Sequence, residues 1–258
     1  MQAALQNSPG IFAGTVAVVL PAYNEEANLP GLFSGVASQL EGKRFQYLVV
    51  VVDDGSGDRT PEVLCEWSPR IPLLHYRHER NLGLGPTIRD CLKHACAALA
   101  PGDIVVSMDA DETHNPDLIP GMVVRIQAGD DIVIASRYRP GARVCGLAWY
   151  RTWISWAASI LFRIVFPIPG VRDYTCGFRA YRVSLLRRAF DDYGESFVDQ
   201  QGFQCMADIL LKLRRYRPSI GELPFVLRYD RKAGSSKMKL GRTTWSTLRL
   251  MLKRRMQN

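Results

Sequence analysis

The sequence lacks the motifs of several common classes of enzyme and metal-binding protein. None of its six cysteines forms a CxxC pair, and none lies near a histidine at the spacing of a zinc site. There is no GxSxG motif, and the four histidines form no pattern typical of a serine or cysteine hydrolase. We therefore expect free, mostly buried thiols in a reducing compartment.

Long apolar runs are also missing, because no segment reaches the roughly 18–20 apolar residues that a membrane-spanning helix requires. The nearest, Val144 to Val171, is divided by Arg151 and Arg163 into uncharged runs of 7, 11 and 8 residues. Its aromatic residues, mixed with arginines, suit a helix at a membrane interface and equally a core helix whose arginines reach solvent. The first 24 residues carry no charge, and without a basic segment they do not indicate a signal peptide.

The composition is that of a soluble globular protein with an unevenly placed positive charge. Of the 258 residues, 47% are hydrophobic and 22% are charged, which excludes a disordered, collagenous or coiled-coil chain and allows one domain with a sizeable core. The formal net charge is +8, and the segment from Arg228 to Asn258 holds ten basic residues and one acidic residue. This segment predicts an anionic partner, such as a phosphate-bearing ligand or a membrane, unless it is a solvated terminus. It has few interleaved aromatics and no recognition motif, so it does not indicate nucleic-acid binding.

Strand and helix patterns alternate over the first half of the chain. The predicted strands are Val16–Leu20, Tyr47–Val52, Ile71–Tyr76, Ile104–Met108 and Ile132–Ala135. The predicted helices are Glu25–Leu40, one that starts at the capping residue Thr60, Pro86–Leu99 and Leu118–Ala128. After Ser136 we predict a helix within 144–171, a short strand after 173–179, a helix over Phe203–Arg215 and a strand over Leu223–Tyr229. This order predicts an α/β fold with a mostly parallel sheet and helices on both faces.

Polar clusters follow three of the predicted strands, and we expect them to meet at one edge of the sheet. They are PAYNEE at 21–26, DDGSG at 53–57 and DAD at 109–111. About one DxD pair is expected by chance among 16 aspartates, so the position of Asp109 and Asp111 at a strand end is the informative feature. Two such carboxylates can share a hard divalent cation, which can neutralise a diphosphate. Asp54 could accept hydrogen bonds from a base or ribose and Tyr23 could stack on a base, although turn and cap roles suit these segments as well.

The segment Asn81–Gly85 is a fragment of a dinucleotide-binding GxGxxG pattern. The third glycine position is occupied by Ile88, and no acidic residue follows at a clear strand end. We therefore do not predict a dinucleotide site.

Together these motifs resemble those of family 2 glycosyltransferases with the GT-A fold, and among them the polyprenyl-phosphate (dolichyl-phosphate) mannose synthase group. The motifs are PAYNEE at 21–26, VDDGSGD at 52–58, NLGLG at 81–85, DADETHNP at 109–116, ASRY at 135–138, RDYTCGFRAYR at 172–182 and RKAGSSKMKLG at 231–241. They extend over nearly the whole chain. The segments SRY, DYTCGFRAYR and GSSK are those that indicate a lipid-phosphate acceptor.

The resemblance implies roles for individual residues. The nucleotide would be held by Pro21, Tyr23, Glu25, Val52, Asp54 and Asp109. Catalysis would depend on Asp109, Asp111 and Arg137. The two aspartates would bind Mg²⁺ or Mn²⁺, and Thr113, which stands where some members have glutamine, would be a further candidate ligand. The acceptor phosphate and the sugar diphosphate would be surrounded by Arg137, Arg151, Arg231, Ser236 and Lys237. Asp173 could act as a base toward a hydroxyl acceptor, or as the partner of an arginine.

The implied reaction is metal-dependent, inverting transfer of a hexosyl group, first of all mannose from GDP-mannose, to a polyprenyl phosphate. A phosphate nucleophile is already anionic and needs no general base, which agrees with the lack of a histidine candidate. Three alternatives stay open. The donor could be UDP-glucose or UDP-N-acetylglucosamine, the acceptor could be a sugar hydroxyl, or the protein could bind a nucleotide sugar without transferring it.

We predict one GT-A catalytic domain over residues 1–242 and a basic amphipathic helix over 243–258, with no transmembrane domain. Trp245, Leu248 and Leu252 lie among several basic residues, a pattern typical of a helix on a membrane surface, although the helix could pack on the domain instead. The resemblance thus implies a cytoplasmic enzyme, peripheral on the cytoplasmic face of a membrane. A separate membrane protein is a potential partner, and nucleic acid is not.

Overall fold

The computed structural model describes residues 12–147, 149–231 and 240–256, and a sheet of seven strands lies at its centre. The strands of this sheet are β1 (Thr15–Ala22), β2 (Gln46–Asp53), β3 (Leu73–Arg77), β4 (Ile104–Ser107), β5 (Ile132–Ser136), β7 (Arg179–Arg182) and β8 (Ile220–Pro224). A separate parallel pair consists of β6 (Arg143–Cys145) and β9 (Val226–Arg228). The helices are α1 (Leu29–Leu40), α2 (Thr60–Trp67), α3 (Leu84–Ala98), α4 (Ile119–Gln127), α5 (Trp149–Val165), α6 (Val183–Tyr193), α7 (Cys205–Leu213) and α8 (Leu240–Met256).

The strands of the main sheet follow the order β3-β2-β1-β4-β7-β5-β8, and β7 runs antiparallel to both of its neighbours. The other pairs are parallel, as predicted. Residues 16–20 of β1 and 49–52 of β2 are fully buried, which explains their continuous apolar runs. Helix α1 packs against α2 and α4, whereas α3 packs against α6, so the two groups of helices cover the two faces. Because β1, β2 and β4 are parallel neighbours, the loops that follow them meet at one edge.

Several elements differ from the sequence prediction, and the short strand β6 was not predicted. The strand predicted over Leu223–Tyr229 is divided, since β8 ends at Pro224 and β9 begins at Val226 in the other sheet. Proline lacks the N–H that would continue the ladder, and the chain changes sheets there. Helix α6 has no counterpart among the predicted elements, although its buried residues Leu185, Leu186 and Ala189 recur at helical spacing.

Helix α8 packs on the rest of the domain with one face and exposes apolar side chains on the other. Leu250 and Met251 are buried, and Arg254 forms an ion pair with the buried Asp208, with Nε–Oδ1 at 2.6 Å. Trp245, in contrast, is 70% exposed. The structure therefore shows that one face of this helix packs on the domain, and contact of the exposed face with a membrane stays a prediction. In the described ranges, no helix combines the length and hydrophobicity needed to cross a bilayer.

The cysteines agree with the prediction of free thiols. All six are unbridged, and Cys91, Cys96, Cys176 and Cys205 are buried. Burial raises the pKa of the Cys205 thiol to about 12, so it is held neutral.

Candidate active site

The loops after β1 and β2 are joined by hydrogen bonds between side chains and backbone. Asn24, whose φ is 52°, accepts a hydrogen bond from the Gly57 amide at 2.9 Å, and its own amide donates to Ser56 Oγ at 2.8 Å. The amide of Glu25 donates to Thr60 Oγ1 at 2.9 Å. Thr60 was predicted to cap α2, but it is the first residue of that helix and its hydroxyl supports the first loop instead. Two of the predicted polar clusters thus form one unit.

The predicted nucleotide-binding residues of these loops differ in accessibility. Tyr23 is 37% exposed at the strand end, and Pro21 is partly buried beside it. The carboxylate of Glu25 accepts a hydrogen bond from Asn28 Nδ2 at 2.6 Å. Val52 is 0% exposed and pairs with Pro21 within the sheet, so it forms the floor below the loops and presents no surface to a ligand in this arrangement.

The adjacent aspartates Asp53 and Asp54 are buried and hold the surrounding loops in place. Asp53 accepts hydrogen bonds from the amide and hydroxyl of Ser56. Asp54 accepts from the amides of Leu82 and Gly83 at 2.8 and 2.9 Å, and its Oδ1 lies 2.7 Å from Nδ1 of His78. These hydrogen bonds connect the glycine-containing segment before α3 to the loop after β2. In this arrangement Asp54 positions the loops, and a direct contact with nucleotide stays a prediction.

Asp109 and Asp111 lie directly after β4, as the sequence predicts for a cation site. The Asp109 side chain is 38% exposed. Oδ1 of Asp111 accepts a hydrogen bond from Oγ1 of Thr113 at 2.6 Å. Thr113 is 2% exposed and its hydroxyl orients Asp111, and its role as a metal ligand stays a prediction.

Glu112, between these two residues, has a φ of 57°, which is unusual for a residue other than glycine. Its carboxylate reaches α1, where a Cβ on Gly31 would come within 1.9 Å of Oε1. The site thus contains local backbone strain at Glu112, and in the observed conformation its carboxylate occupies the space that a side chain at position 31 would need.

His114 contacts Asp109 through both nitrogens of its ring. Its Nδ1 accepts a hydrogen bond from the Asp109 amide at 2.9 Å, so the proton of the neutral ring is on Nε2. That nitrogen lies 3.6 Å from Oδ2 of Asp109. The ring is buried and stacks on Phe178 at 5.1 Å between centroids. His114 thus both shapes the turn and lines the site.

Arg137 is fixed by Asp173 at the end of β5. Its Nε and Nη2 donate to the two carboxylate oxygens of Asp173 at 2.8 and 2.7 Å, and Nη2 also donates to Thr175 Oγ1 at 2.7 Å. Burial alone raises the pKa of Asp173, but the Arg137 charge and hydrogen bonds outweigh it and leave that pKa below its usual value. Asp173 is therefore an ionised partner of an arginine, which argues against the alternative role of general base.

A cavity of about 430 Å³, which we call the acceptor cavity, adjoins these residues. Its polar lining includes Asp109, Arg137 and Gln204. The rest is largely apolar and comes from α5, α7, α8 and the segment around β9; examples are Ile154, Leu161, Phe203, Phe225, Leu227 and Met251. The cavity thus combines a charged region with walls suited to hydrocarbon.

The residues present suit a divalent cation that is shared with a substrate. No group of three or more His, Cys, Asp or Glu side chains able to hold a metal occurs in the parts of the chain that the structure describes. Mg²⁺ is commonly held by only one or two carboxylates together with substrate phosphates and water. Asp109 and Asp111, with hard oxygen ligands at a partly exposed strand end, fit that requirement.

Four predicted acceptor-site residues cannot be placed. The side chains of Arg151 and Arg231 lie outside the described residues, although their backbones belong to α5 and to a short 3-10 helix over Tyr229–Arg231. Ser236 and Lys237 lie wholly outside the described ranges. Their roles stay predictions.

Several residues of the site belong to none of the motifs from which the site was predicted. His78 bridges Asp54 and Asp90, and Phe203 and Gln204 line the acceptor cavity. The signal for Phe203 and Gln204 was weak, since they lie at the start of a predicted helix in no motif.

Comparisons with known proteins agree with this geometry. The family model described as glycosyl transferase family 2 matches residues 17–190. Dolichol-phosphate mannosyltransferase of Pyrococcus furiosus is 36% identical over 91% of this chain, which spans 62% of that relative's length. Polyprenol monophosphomannose synthase of Mycolicibacterium smegmatis is 30% identical over 86% of this chain and 80% of its own length.

A solved structure has the same architecture. Glucosyl-3-phosphoglycerate synthase of Mycobacterium tuberculosis, in complex with Mn²⁺, UDP and glucosyl-3-phosphoglycerate, matches with a TM-score of 0.64 and 21% identity, over 94% of this chain and 80% of that one. At this identity the likeness concerns the fold alone. It confirms the GT-A fold expected from the motifs.

Proposed function

Because this chain belongs to glycosyltransferase family 2, we propose that it transfers a mannosyl group from GDP-mannose to a polyprenyl phosphate at a membrane surface. The observation that carries the proposal is the acceptor cavity, where Asp109 and Arg137 border walls formed by apolar side chains. A lipid phosphate has the matching chemistry, with an anionic head and a hydrocarbon chain. The names of the relatives from P. furiosus and M. smegmatis point the same way.

We assign the donor diphosphate to the edge formed by the loops after β1, β2 and β4. Asp109 and Asp111 would hold Mg²⁺ or Mn²⁺, which would offset the negative charge of the diphosphate as it leaves. Tyr23, Pro21 and Glu25 would flank the nucleotide, and Asp54 would hold the loops beside it. The metal complex of the M. tuberculosis enzyme supports a cation in this fold.

Arg137 is the residue best placed to receive an anion from the acceptor cavity. Two of its nitrogens are committed to Asp173, so the guanidinium is held in a fixed orientation at the cavity wall. A pre-oriented cation of this kind stabilises a developing charge without reorganisation.

The proposed nucleophile is an oxygen of the acceptor phosphate. It attacks the anomeric carbon as the bond to the nucleoside diphosphate breaks, and an α-linked donor then gives a β-linked product. No proton has to be removed from this oxygen. A hydroxyl acceptor, in contrast, would need a base. The carboxylate of Asp173 is engaged in the ion pair with Arg137, which supports a phosphate acceptor.

Arg151, Arg231, Ser236 and Lys237 would complete the acceptor site. We expect Lys237→Ala to raise the KM for the lipid phosphate more than the KM for the donor. Equal changes in the two constants would argue against this role.

Exposed apolar side chains on α5 and α8 support action at a membrane. Trp153 is 61% exposed, and Trp245 and Leu252 on α8 are 70% and 67% exposed. Tryptophan beside basic residues favours the interfacial region of a bilayer. We propose a peripheral location on the cytoplasmic face, with a separate membrane protein as a potential partner.

The test is a transfer assay with radiolabelled GDP-mannose, UDP-glucose and UDP-N-acetylglucosamine. Each donor is mixed with a short polyprenyl phosphate and Mg²⁺ or Mn²⁺, with and without EDTA. We expect label to enter the organic phase with GDP-mannose alone and EDTA to abolish its transfer. Label from a UDP-sugar instead would replace the donor assignment.

Absence of transfer from every donor, in detergent and in liposomes, would overturn the proposed reaction. Calorimetry of donor binding then separates the two remaining interpretations. Tight binding would indicate another acceptor, such as a sugar hydroxyl. Lack of binding would indicate a pocket without transferase activity.

A further inference from the structure

A second groove lies beyond the C-terminal end of α5, apart from the acceptor cavity. We call it the arginine groove and define it by Arg139, Arg163, Ile164, Arg172 and the loop 167–171. Its volume is about 980 Å³, and it is wide and open to solvent. It shares no lining residue with the acceptor cavity, since the two sites use different faces of α5.

The arginine groove carries an excess of positive charge. Three arginines line it, and no carboxylate belongs to its lining within the part of the chain that the structure describes. Glu222 lies behind it, 8% exposed, and accepts hydrogen bonds from Arg139 Nε at 2.8 Å and from the Arg172 amide at 2.6 Å. One positive charge is therefore offset, and the others are not.

Arg163 is the most available of the three. Its side chain is exposed and forms neither a hydrogen bond nor an ion pair with the described residues. Within the part of the chain that the structure describes, the guanidinium of Arg172 forms only a long contact of 3.4 Å with the Tyr138 carbonyl. Both side chains can therefore turn toward an anion without giving up a structural ion pair.

An apolar stripe on α5 leads into the arginine groove. Trp153, Trp156, Ile160 and Ile164 recur at intervals of three and four residues, so they lie along one side of the helix. Ile164, at the groove, is 73% exposed, and Trp153 and Trp156 are 61% and 47% exposed. A small soluble anion would contact the arginine groove alone. A lipid surface would contact the groove with its headgroups and the apolar stripe with its hydrocarbon.

We propose that the arginine groove binds the phosphodiester headgroup of an anionic phospholipid in the bilayer, while the α5 stripe enters the interfacial region. The headgroup would orient the enzyme on the membrane and is not the acceptor that is glycosylated. The inference rests on the proposed function in one respect, because a lipid acceptor is what brings the enzyme to a bilayer.

The experiment compares the full-length protein with Arg163→Glu and Arg163→Gln in co-sedimentation with vesicles. One set of vesicles is phosphatidylcholine alone, and the other contains roughly one third phosphatidylglycerol. We expect the wild type to bind the anionic vesicles more tightly and to lose this preference at high salt. Removal of the charge should weaken the binding about fivefold, and its reversal more.

Arg44→Glu is the matched control, because Arg44 is also exposed and lies before β2, at the edge of the sheet opposite the active-site loops. Equal loss of vesicle binding in Arg44→Glu and Arg163→Glu would overturn the site in favour of a general effect of net charge. Unchanged binding in Arg163→Glu would overturn it as well.

A calorimetric titration with glycerol phosphate tests the other source of the same chemistry. Micromolar binding that Arg163→Glu removes would replace the lipid with a soluble phosphate ligand. Transfer to a short polyprenyl phosphate in detergent should be the same in Arg163→Glu and wild type. If the proposed reaction is wrong, neither protein will show transfer, and the vesicle measurement can still be interpreted.

Discussion

Oδ1 of Asp54 lies 2.7 Å from Nδ1 of His78, and the same carboxylate receives the amides of Leu82 and Gly83. The other ring nitrogen of His78 lies 3.1 Å from Asp90. His78, the first residue after the edge strand β3, thus connects the loop after β2 to α3. His78 is a positioning residue for the loops that we assign to the nucleotide.

We predict that His78→Ala weakens the binding of GDP about tenfold, because Asp54 loses one of the contacts that orient it. Calorimetry with GDP and Mg²⁺ measures the effect. His75→Ala is the control, since His75 is exposed on β3, three residues before His78, and this variant should bind GDP like the wild type. A normal affinity in His78→Ala would show that the loop keeps its shape without the imidazole.

Asp111→Ala should lower the rate of transfer at least a thousandfold. The cation would lose a ligand, and the negative charge of the diphosphate would no longer be neutralised. The measurement is single-turnover transfer at saturating donor. Asp117→Asn, an exposed carboxylate in the following turn, serves as the control and should keep its activity. Turnover of Asp111→Ala within tenfold of the wild type would contradict the metal assignment.

Asp173→Asn should lower kcat more than tenfold, since Arg137 would no longer be held by a charged, bidentate partner. The Asp173 carboxylate is fully buried, so the variant should also lose about 3 kcal/mol of unfolding free energy. Asp192→Asn, which changes an exposed carboxylate, should alter stability by less than about 1 kcal/mol.

The same ion pair makes stability depend on acid pH. Because the folded state lowers the pKa of Asp173, its contribution is present above about pH 4 and is lost as the pH falls through the folded value. Urea unfolding between neutral and acid pH should therefore show a smaller loss in Asp173→Asn than in the wild type. An equal loss would mean that Asp173 is not ionised in the folded protein.

The parts of the fold that depend on local patterns were predictable from the sequence. The parallel strands, α3 and the strand-end carboxylates Asp109 and Asp111 each follow from a short segment. Contacts between distant segments were not predictable, since no pattern near His78 indicates Asp54, 24 residues before it. Asp173 is intermediate, because its role as an arginine partner was one of two alternatives and the identity of that arginine required the fold.

The attachment of α8 to the domain should depend on Arg254. Its guanidinium holds the carboxylate of Asp208, which is 1% exposed, and Lys212 is a second partner of that carboxylate at 3.0 Å. We predict that Arg254→Ala costs about 1–3 kcal/mol, less than an isolated buried pair would, because Lys212 remains.

Since α8 lines the acceptor cavity through Met251, Arg254→Ala should raise the KM for the lipid phosphate and leave GDP binding unchanged. The matched control is Arg255→Ala, because Arg255 is exposed on the same turn of the helix. A parallel rise in the KM of both substrates would mean that the helix supports the whole domain and not the acceptor cavity.

Buried thiols give the protein a second dependence on pH, at the alkaline end. An unfolded cysteine ionises near pH 8.5, whereas burial raises the pKa of Cys205 to about 12. Between these values the unfolded state has released a proton that the folded state retains, so the free energy of unfolding falls as the pH rises. The slope from one such thiol approaches about 1.4 kcal/mol per pH unit.

Cys205→Ala should remove this part of the slope between about pH 9 and 11 in urea unfolding, while Cys65→Ala, which changes an exposed thiol, should leave it unaltered. If both variants kept the wild-type slope, ionisation of Cys205 would not be coupled to unfolding, and the alkaline sensitivity would have to come from other groups, such as the remaining buried thiols.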